Sequence, residues 1–265
     1  MLLLVLTSIL PGLCWSLEVL GISGPGVILN GSMPLVVLDC DYEVAANDRS
    51  SLVVKWFHNR APYPVYQWIP HSHPQDLGFL KGRVQLDYVV DDLWYKKHRA
   101  LAIRNPTTDD TGEYTCWIST FESEAFKRKT LIIYSPVTDL SIRWSRPRVG
   151  RLLVKCNAGG VYPEPEVLII KTGAAPGHST LRRQVLDGVS KQTVKFAEQG
   201  FFNVSAQVEM HESELSGENV FECVLSIPGT EYRVAEHITY YAGSPLNHVI
   251  SVQLVVACLT VLKML

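Results

Sequence analysis

The stretch Asp109-Asp110-Thr111-Gly112-Glu113-Tyr114-Thr115-Cys116 limits what this chain can fold into more than any other. A glycine, a tyrosine and a cysteine recur there at every second position, the period at which strand side chains return to one face of a sheet. Cys116 and Tyr114 therefore point one way and Trp117 the other. Upstream, Cys40 closes the apolar run 35–38, and Trp56 follows within Leu52-Val53-Val54-Lys55-Trp56-Phe57. Short runs with strand composition, separated by turn residues, fill the region at 17–22, 35–42, 52–58, 63–69, 83–88, 100–104, 113–120 and 126–134. Such a pattern predicts an all-β domain. The 265 residues have room for a second one.

The Cys…Trp…Cys spacing with Asp-x-Gly-x-Tyr-x-Cys resembles the immunoglobulin superfamily. The resemblance implies that 17–134 is a variable-type sandwich. It pairs Cys40 with Cys116 across the two sheets, packs Trp56 on that disulfide and makes Tyr114 a tyrosine corner, with Gly112 permitting the tight turn before it. It also pairs Arg83, at the start of the strand expected over 83–88, with Asp110 as a structural ion pair. Trp56 comes late after Cys40, so the loop between their strands is expected to be long.

Residues 135–240 resemble a constant-type domain. Cys156 leads into Tyr162-Pro163, a place where the family often carries a cis proline, and Cys223 pairs with Cys156. Two departures stand out. Phe221 replaces the corner tyrosine, and Val167-Leu168-Ile169-Ile170 offers no tryptophan, so a branched apolar residue is expected against the disulfide. Two intradomain disulfides imply an oxidising compartment.

The ends of the chain read as targeting segments. Residues 1–16 have the apolar core and small residues of a secretory signal peptide. Residues 241–265 combine small residues, a short polar spacer and an apolar tail of about 17 residues, roughly 25 Å as a helix against a hydrocarbon core of about 30 Å. That fits a lipid-anchor signal with Ala242 as the attachment residue, or a short transmembrane helix. Both readings place the two domains on the extracellular face of the plasma membrane. The sequons at Asn30 and Asn203 are expected to carry glycans.

Catalysis finds no support. The glycine-rich 21–26 lacks the lysine and the strand–helix setting of a phosphate loop. His71 and His73 lie in a proline-bracketed loop with no third ligand nearby in sequence. The chain is read as a non-enzyme without cofactor or metal. A net charge of −2 gives no field that attracts nucleic acid. The basic runs 96–99 and 127–129 are expected to be solvated strand ends, or else a site for sulfated glycans.

The aromatic residues carry the functional reading. Trp117 and Phe57 are expected outward on adjacent strands, with Tyr66 and Trp68 on the next strand and Phe121 and Phe126 around the following hairpin. Large exposed aromatics mark interaction sites. The alternative is that Trp117 is covered by its own hairpin or by the second domain. A variable-type domain, a constant-type domain and a membrane signal together resemble butyrophilin-like ligands. The stretch Val54-Lys55-Trp56-Phe57-His58…Tyr66-Gln67-Trp68-Ile69-Pro70 with Gly82-Arg83-Val84 resembles the arthropod beaten-path proteins more closely. The latter resemblance implies recognition of another immunoglobulin-type protein on a neighbouring cell, heterophilic rather than homophilic, in axon guidance or synaptic partner choice. The other reading is a secreted or surface defence factor that binds glycan or microbial ligands.

Overall fold

The computed structural model describes residues 17–174, 176–177, 179–196 and 200–243. The expected signal peptide, and the tail beyond Gly243, lie outside the described residues. Among those described, no helix is long and apolar enough to cross a membrane. The chain divides into two compact units between Ser135 and Pro136.

The first unit is a sandwich. Its smaller sheet runs in the order β1 (Glu18–Ser23), β3 (Leu35–Glu43), β7 (Leu101–Arg104). The larger, front sheet runs β2 (Val27–Leu29), β9 (Glu124–Tyr134), β8 (Gly112–Ser119), β4 (Val53–His58), β5 (Tyr66–Trp68), β6 (Gln75–Asp76), antiparallel except for the parallel β2–β9 pair. Alternation in β3 sends Val36, Leu38, Cys40 and Tyr42 into the core and Asp39, Asp41 and Glu43 to the other face. Cys40 and Cys116 form the expected disulfide, and Trp56, fully buried, is in register with Cys116. The long loop after β3 is a 3-10 turn over Ala46–Ser51.

The corner before β8 is built as the residues suggest. Asp110 has no solvent exposure and takes Arg83 with both carboxylate oxygens, 2.9 Å at Nη1 and 2.5 Å at Nη2. It also accepts the Thr107 N–H at 2.8 Å. The Tyr114 hydroxyl donates to the Asp110 carbonyl at 2.8 Å. Gly112 has a different cause from the one expected. It does not adopt a left-handed conformation; the His58 ring and the Asn59 side chain lie where its Cβ would be.

Residues 83–88 do not form the expected strand. Val84 makes a single bridge to Ile103, and after a 3-10 turn over Gly78–Leu80 the chain runs to 100 as turns and bends. This segment is fastened by side chains. Three core aromatics need partners for their polar tips, and all three find carbonyls here. The Tyr42 hydroxyl donates to Tyr95, the Tyr66 hydroxyl to His98 at 2.7 Å, and Trp56 Nε1 to Arg99 at 3.1 Å. On the opposite face of β3, Arg99 forks onto Asp39 at 2.9 and 3.1 Å and bonds Asp41, while Lys96 reaches Glu43 at 2.9 Å. Lys96 and Arg99 are therefore buried, contrary to the expectation of a solvated basic run.

The second unit is also a sandwich, of two four-stranded sheets. One runs β10 (Asp139–Arg148), β11 (Arg151–Val161), β15 (Phe202–His211), β14 (Ser190–Lys195). The other runs β13 (Leu181–Val185), β12 (Glu166–Ala174), β16 (Ser216–Ser226), β17 (Arg233–Tyr241). Cys156 and Cys223 are bonded, and Ile169 faces Cys223 in register, fully buried. It fills the place that Trp56 has in the first unit. Phe221 is likewise buried, and the Tyr162–Pro163 bond is cis. Ala242 follows β17 half-buried, its N–H donated to the Gly217 carbonyl at 2.8 Å. Asn203 is exposed, and its Oδ1 accepts the Gly160 N–H at 3.0 Å. Asn30 is half-buried at the end of β2.

Candidate recognition face

Register decides which aromatics reach the surface of the front sheet. Lys55 lies opposite Gln67 on β5 and Trp117 on β8, and Trp117 lies opposite Phe126 on β9. Directly opposed residues point to the same side. Gln67, Lys55, Trp117 and Phe126 thus form one outward row. The next row is Phe57, Thr115 and Arg128.

The same register overturns two expectations. Tyr66 is opposite Trp56, and Trp68 is opposite Val54. Both therefore point inward and are about as buried as the core around them. They are not on the exposed face, because a slip of one residue in reading β5 exchanges its two faces.

Trp117 stacks on Phe126 with centroids 5.2 Å apart and planes 12° apart, and meets the edge of Phe57 at 6.2 Å. Phe126 keeps 43% of its surface exposed, and the Arg128 guanidinium lies 4.7 Å above its ring. Trp117 is half-buried by these neighbours. Phe121, at the tip of the hairpin, is 92% exposed, and its N–H donates to Ser51 Oγ at 3.2 Å. A shallow depression of about 230 Å³ lies between Phe57, Arg60, Ala61, Thr115, Trp117 and Arg128. Glu113 joins its two arginines, 2.9 Å from Arg60 Nε and 3.5 Å from Arg128 Nε. The Arg60 hydrogen bond holds the Glu113 carboxyl below its ordinary pKa, so Glu113 is ionised at neutral pH.

Arg60 was not singled out in the sequence, and Arg128 entered only as part of the basic run 127–129, although it lies two residues from Phe126 on the same face. Arg60 sits in a turn, where no periodicity reports direction. This face has flat apolar surface with cations beside it. Among the described residues, no three metal-ligating side chains come together.

No family model matches the chain. A crystal structure of bovine butyrophilin is similar to it, with a TM-score of 0.59 and 19% identity, covering 85% of this chain and 99% of that one. The fold is immunoglobulin-like. Two mouse proteins are similar in sequence. Selection and upkeep of intraepithelial T-cells protein 4 is 24% identical over 172 residues, 62% of this chain and 35% of that protein. Protein 5 of the same name is 26% identical over 167 residues, 57% of this chain and 11% of that protein. The chain thus spans about a third or less of the length of these curated relatives.

Proposed function

We propose that this protein is a non-enzymatic recognition protein of the cell surface. Its first unit binds another immunoglobulin-type ectodomain through the Phe57, Trp117 and Phe126 face, with Phe121 at the rim. The observation that carries this reading is the exposed Trp117–Phe126 stack with Arg128 upon it, since aromatic and arginine side chains dominate interface energetics. The likeness to butyrophilin and to the mouse proteins supports the setting. The binding is heterophilic and serves neuronal guidance or synaptic partner choice; that part comes from the beaten-path resemblance alone. The C-terminal segment supplies the membrane attachment, at Ala242 if by lipid, and Asn30 and Asn203 carry glycans. For the defence reading, the run 96–99 offers Lys97 rather than Lys96 or Arg99, which are already engaged by carboxylates.

A single contact of about 1,600 Å² or less gives weak monomeric affinity, which clustering on a membrane multiplies. The test is the full chain, multimerised and applied to a panel of cell-surface immunoglobulin-type proteins that includes the chain itself. A specific hit lost with Trp117→Ala and with Phe126→Ala supports the reading. Phe126 is the more exposed of the two, so its removal leaves the fold intact. A hit that survives both variants moves the site elsewhere.

A further inference from the structure

A second concavity lies beyond the last residue of β5. It is a cleft of about 300 Å³ between the turn after β5 and the fastened segment, lined by Trp68, His71, His73, Trp94, Lys97 and His98. No carboxylate lines it. His71 stacks on Trp94 with centroids 4.6 Å apart and planes 19° apart, and Trp94 keeps 41% of its surface exposed. His71 adopts φ 65°, a left-handed conformation that glycine or asparagine takes more easily. The turn thus carries strain and in return presents an imidazole to the tryptophan.

Two polar groups at the cleft, the buried Trp68 N–H and the exposed Lys97 ammonium, have no partner among the described residues. Trp68 is 2% exposed, and its indole N–H has no acceptor among the described residues. Buried donors are seldom left so. His98 meets Trp68 edge-to-face at 5.5 Å and uses Nδ1 on the Tyr88 carbonyl at 2.8 Å. A carbonyl only accepts, so Nδ1 carries the proton and Nε2 is the nitrogen left for a ligand. Of the run 96–99, Lys96 and Arg99 are engaged by acids of β3, whereas Lys97 makes no ion pair among the described residues. A metal is not indicated, since the histidines do not converge as a ligand group.

We infer that this cleft binds an acidic saccharide, one sugar ring bearing a carboxylate or a sulfate. The flat aromatic wall offers a face for the apolar side of the ring. Lys97 offers a charge to the anionic group, and the absence of carboxylates from the lining removes repulsion. The cleft is at the small end of ligand sites, with room for one ring and little more. This inference does not depend on the front-sheet reading.

The test is saturation-transfer NMR on the full chain with 3′-sialyllactose, N-acetylglucosamine 6-sulfate and lactose. The first two probes separate carboxylate from sulfate as the anion. Binding by at least one of them and not by lactose is expected. Lys97→Gln, an exposed change that leaves folding untouched, should weaken it about fivefold, the worth of one partly exposed charge pair. Trp94→Ala should weaken it about tenfold or more through loss of the stacking wall. Phe126→Ala should leave it unchanged. Equal binding of lactose, no transfer from either acidic probe, or binding indifferent to both Lys97→Gln and Trp94→Ala overturns the inference.

Discussion

Loss of Arg99 should damage the first unit substantially, because this residue ties the segment 78–100 to the two acids that flank Cys40. It makes a two-pronged bond to Asp39 and a third bond to Asp41, and it stands near Asp91 at 3.9 Å. A charge-assisted hydrogen bond contributes about 1.5–3 kcal/mol net. The Asp39 fork approaches that figure, because the Arg99 and Asp39 side chains are only 10% and 18% exposed. The bond to Asp41, which is 46% exposed, is discounted to about 0.5 kcal/mol for solvent screening. Arg99→Ala should therefore destabilise the unit by about 3 kcal/mol, leaving acids on β3 beside Asp91 with only Lys96 to balance them. At about 4 °C per kcal/mol for a domain of this size, its thermal transition should fall by about 12 °C. Arg99→Lys keeps the charge and loses the fork, and should fall about half as far. Calorimetry of the full chain measures both, with the second unit's transition as the internal reference. Asp39→Asn in the Arg99→Ala background should be less damaging than in the wild type, because the charge it removes no longer has a partner. A shift under about 3 °C, or strict additivity of the two changes, would falsify the view that this ion cluster fastens 78–100 to β3.

Two further outcomes concern the corner before β8. Gly112→Ala should cost about 2–3 kcal/mol by overpacking, since its methyl meets His58 and Asn59 and disturbs the Asn59 bond to the Glu113 N–H at 2.9 Å; chemical denaturation reads it, and a near-neutral result would show that the loop yields. His58 lies between the rings of Phe79 and Tyr114, at 4.7 and 4.8 Å, with Nε2 donating to the Thr111 carbonyl at 3.2 Å. Burial pushes its pKa below 6.5, more than the Thr111 carbonyl and Asp110 push it back up. With the folded value below the unfolded one, the unfolded chain takes the proton first as pH falls. The stabilisation is complete above pH 6.5 and drains away between there and the lowered folded value. His58→Gln should flatten the fall in melting temperature between about pH 7 and 5.5; an unchanged slope would place the titration elsewhere.

Much of this fold could be read before any coordinates. Cys40, Trp56, Tyr114 and Cys116 fixed one another's places, because each has a single face to point to in such a sandwich. The Arg83–Asp110 pair and the branched residue behind the second disulfide followed from the same frame. What could not be read shares a cause. Lys96 and Arg99 find acids more than fifty residues upstream, and nothing in a basic run announces that. The register of β5 depends on a three-residue strand, too short for alternation to settle which face Tyr66 and Trp68 take. Part of the candidate face was visible as outward aromatics. Arg128 was visible only within a basic run, and Arg60, in the turn after β4, was not.

The segment from 78 to 100 is held by carbonyls that receive aromatic tips and by cations that reach acids, with one ladder bridge. A paired strand cannot gain or lose one residue without exchanging its faces. A segment fastened at a few points has no alternation to preserve between them. Chain length can therefore drift between the fastenings while the front sheet keeps its alignment. Such drift has room between Gln85 and Tyr95, whereas the cleft residues Lys97 and His98 stand among the fastenings and are held with the core.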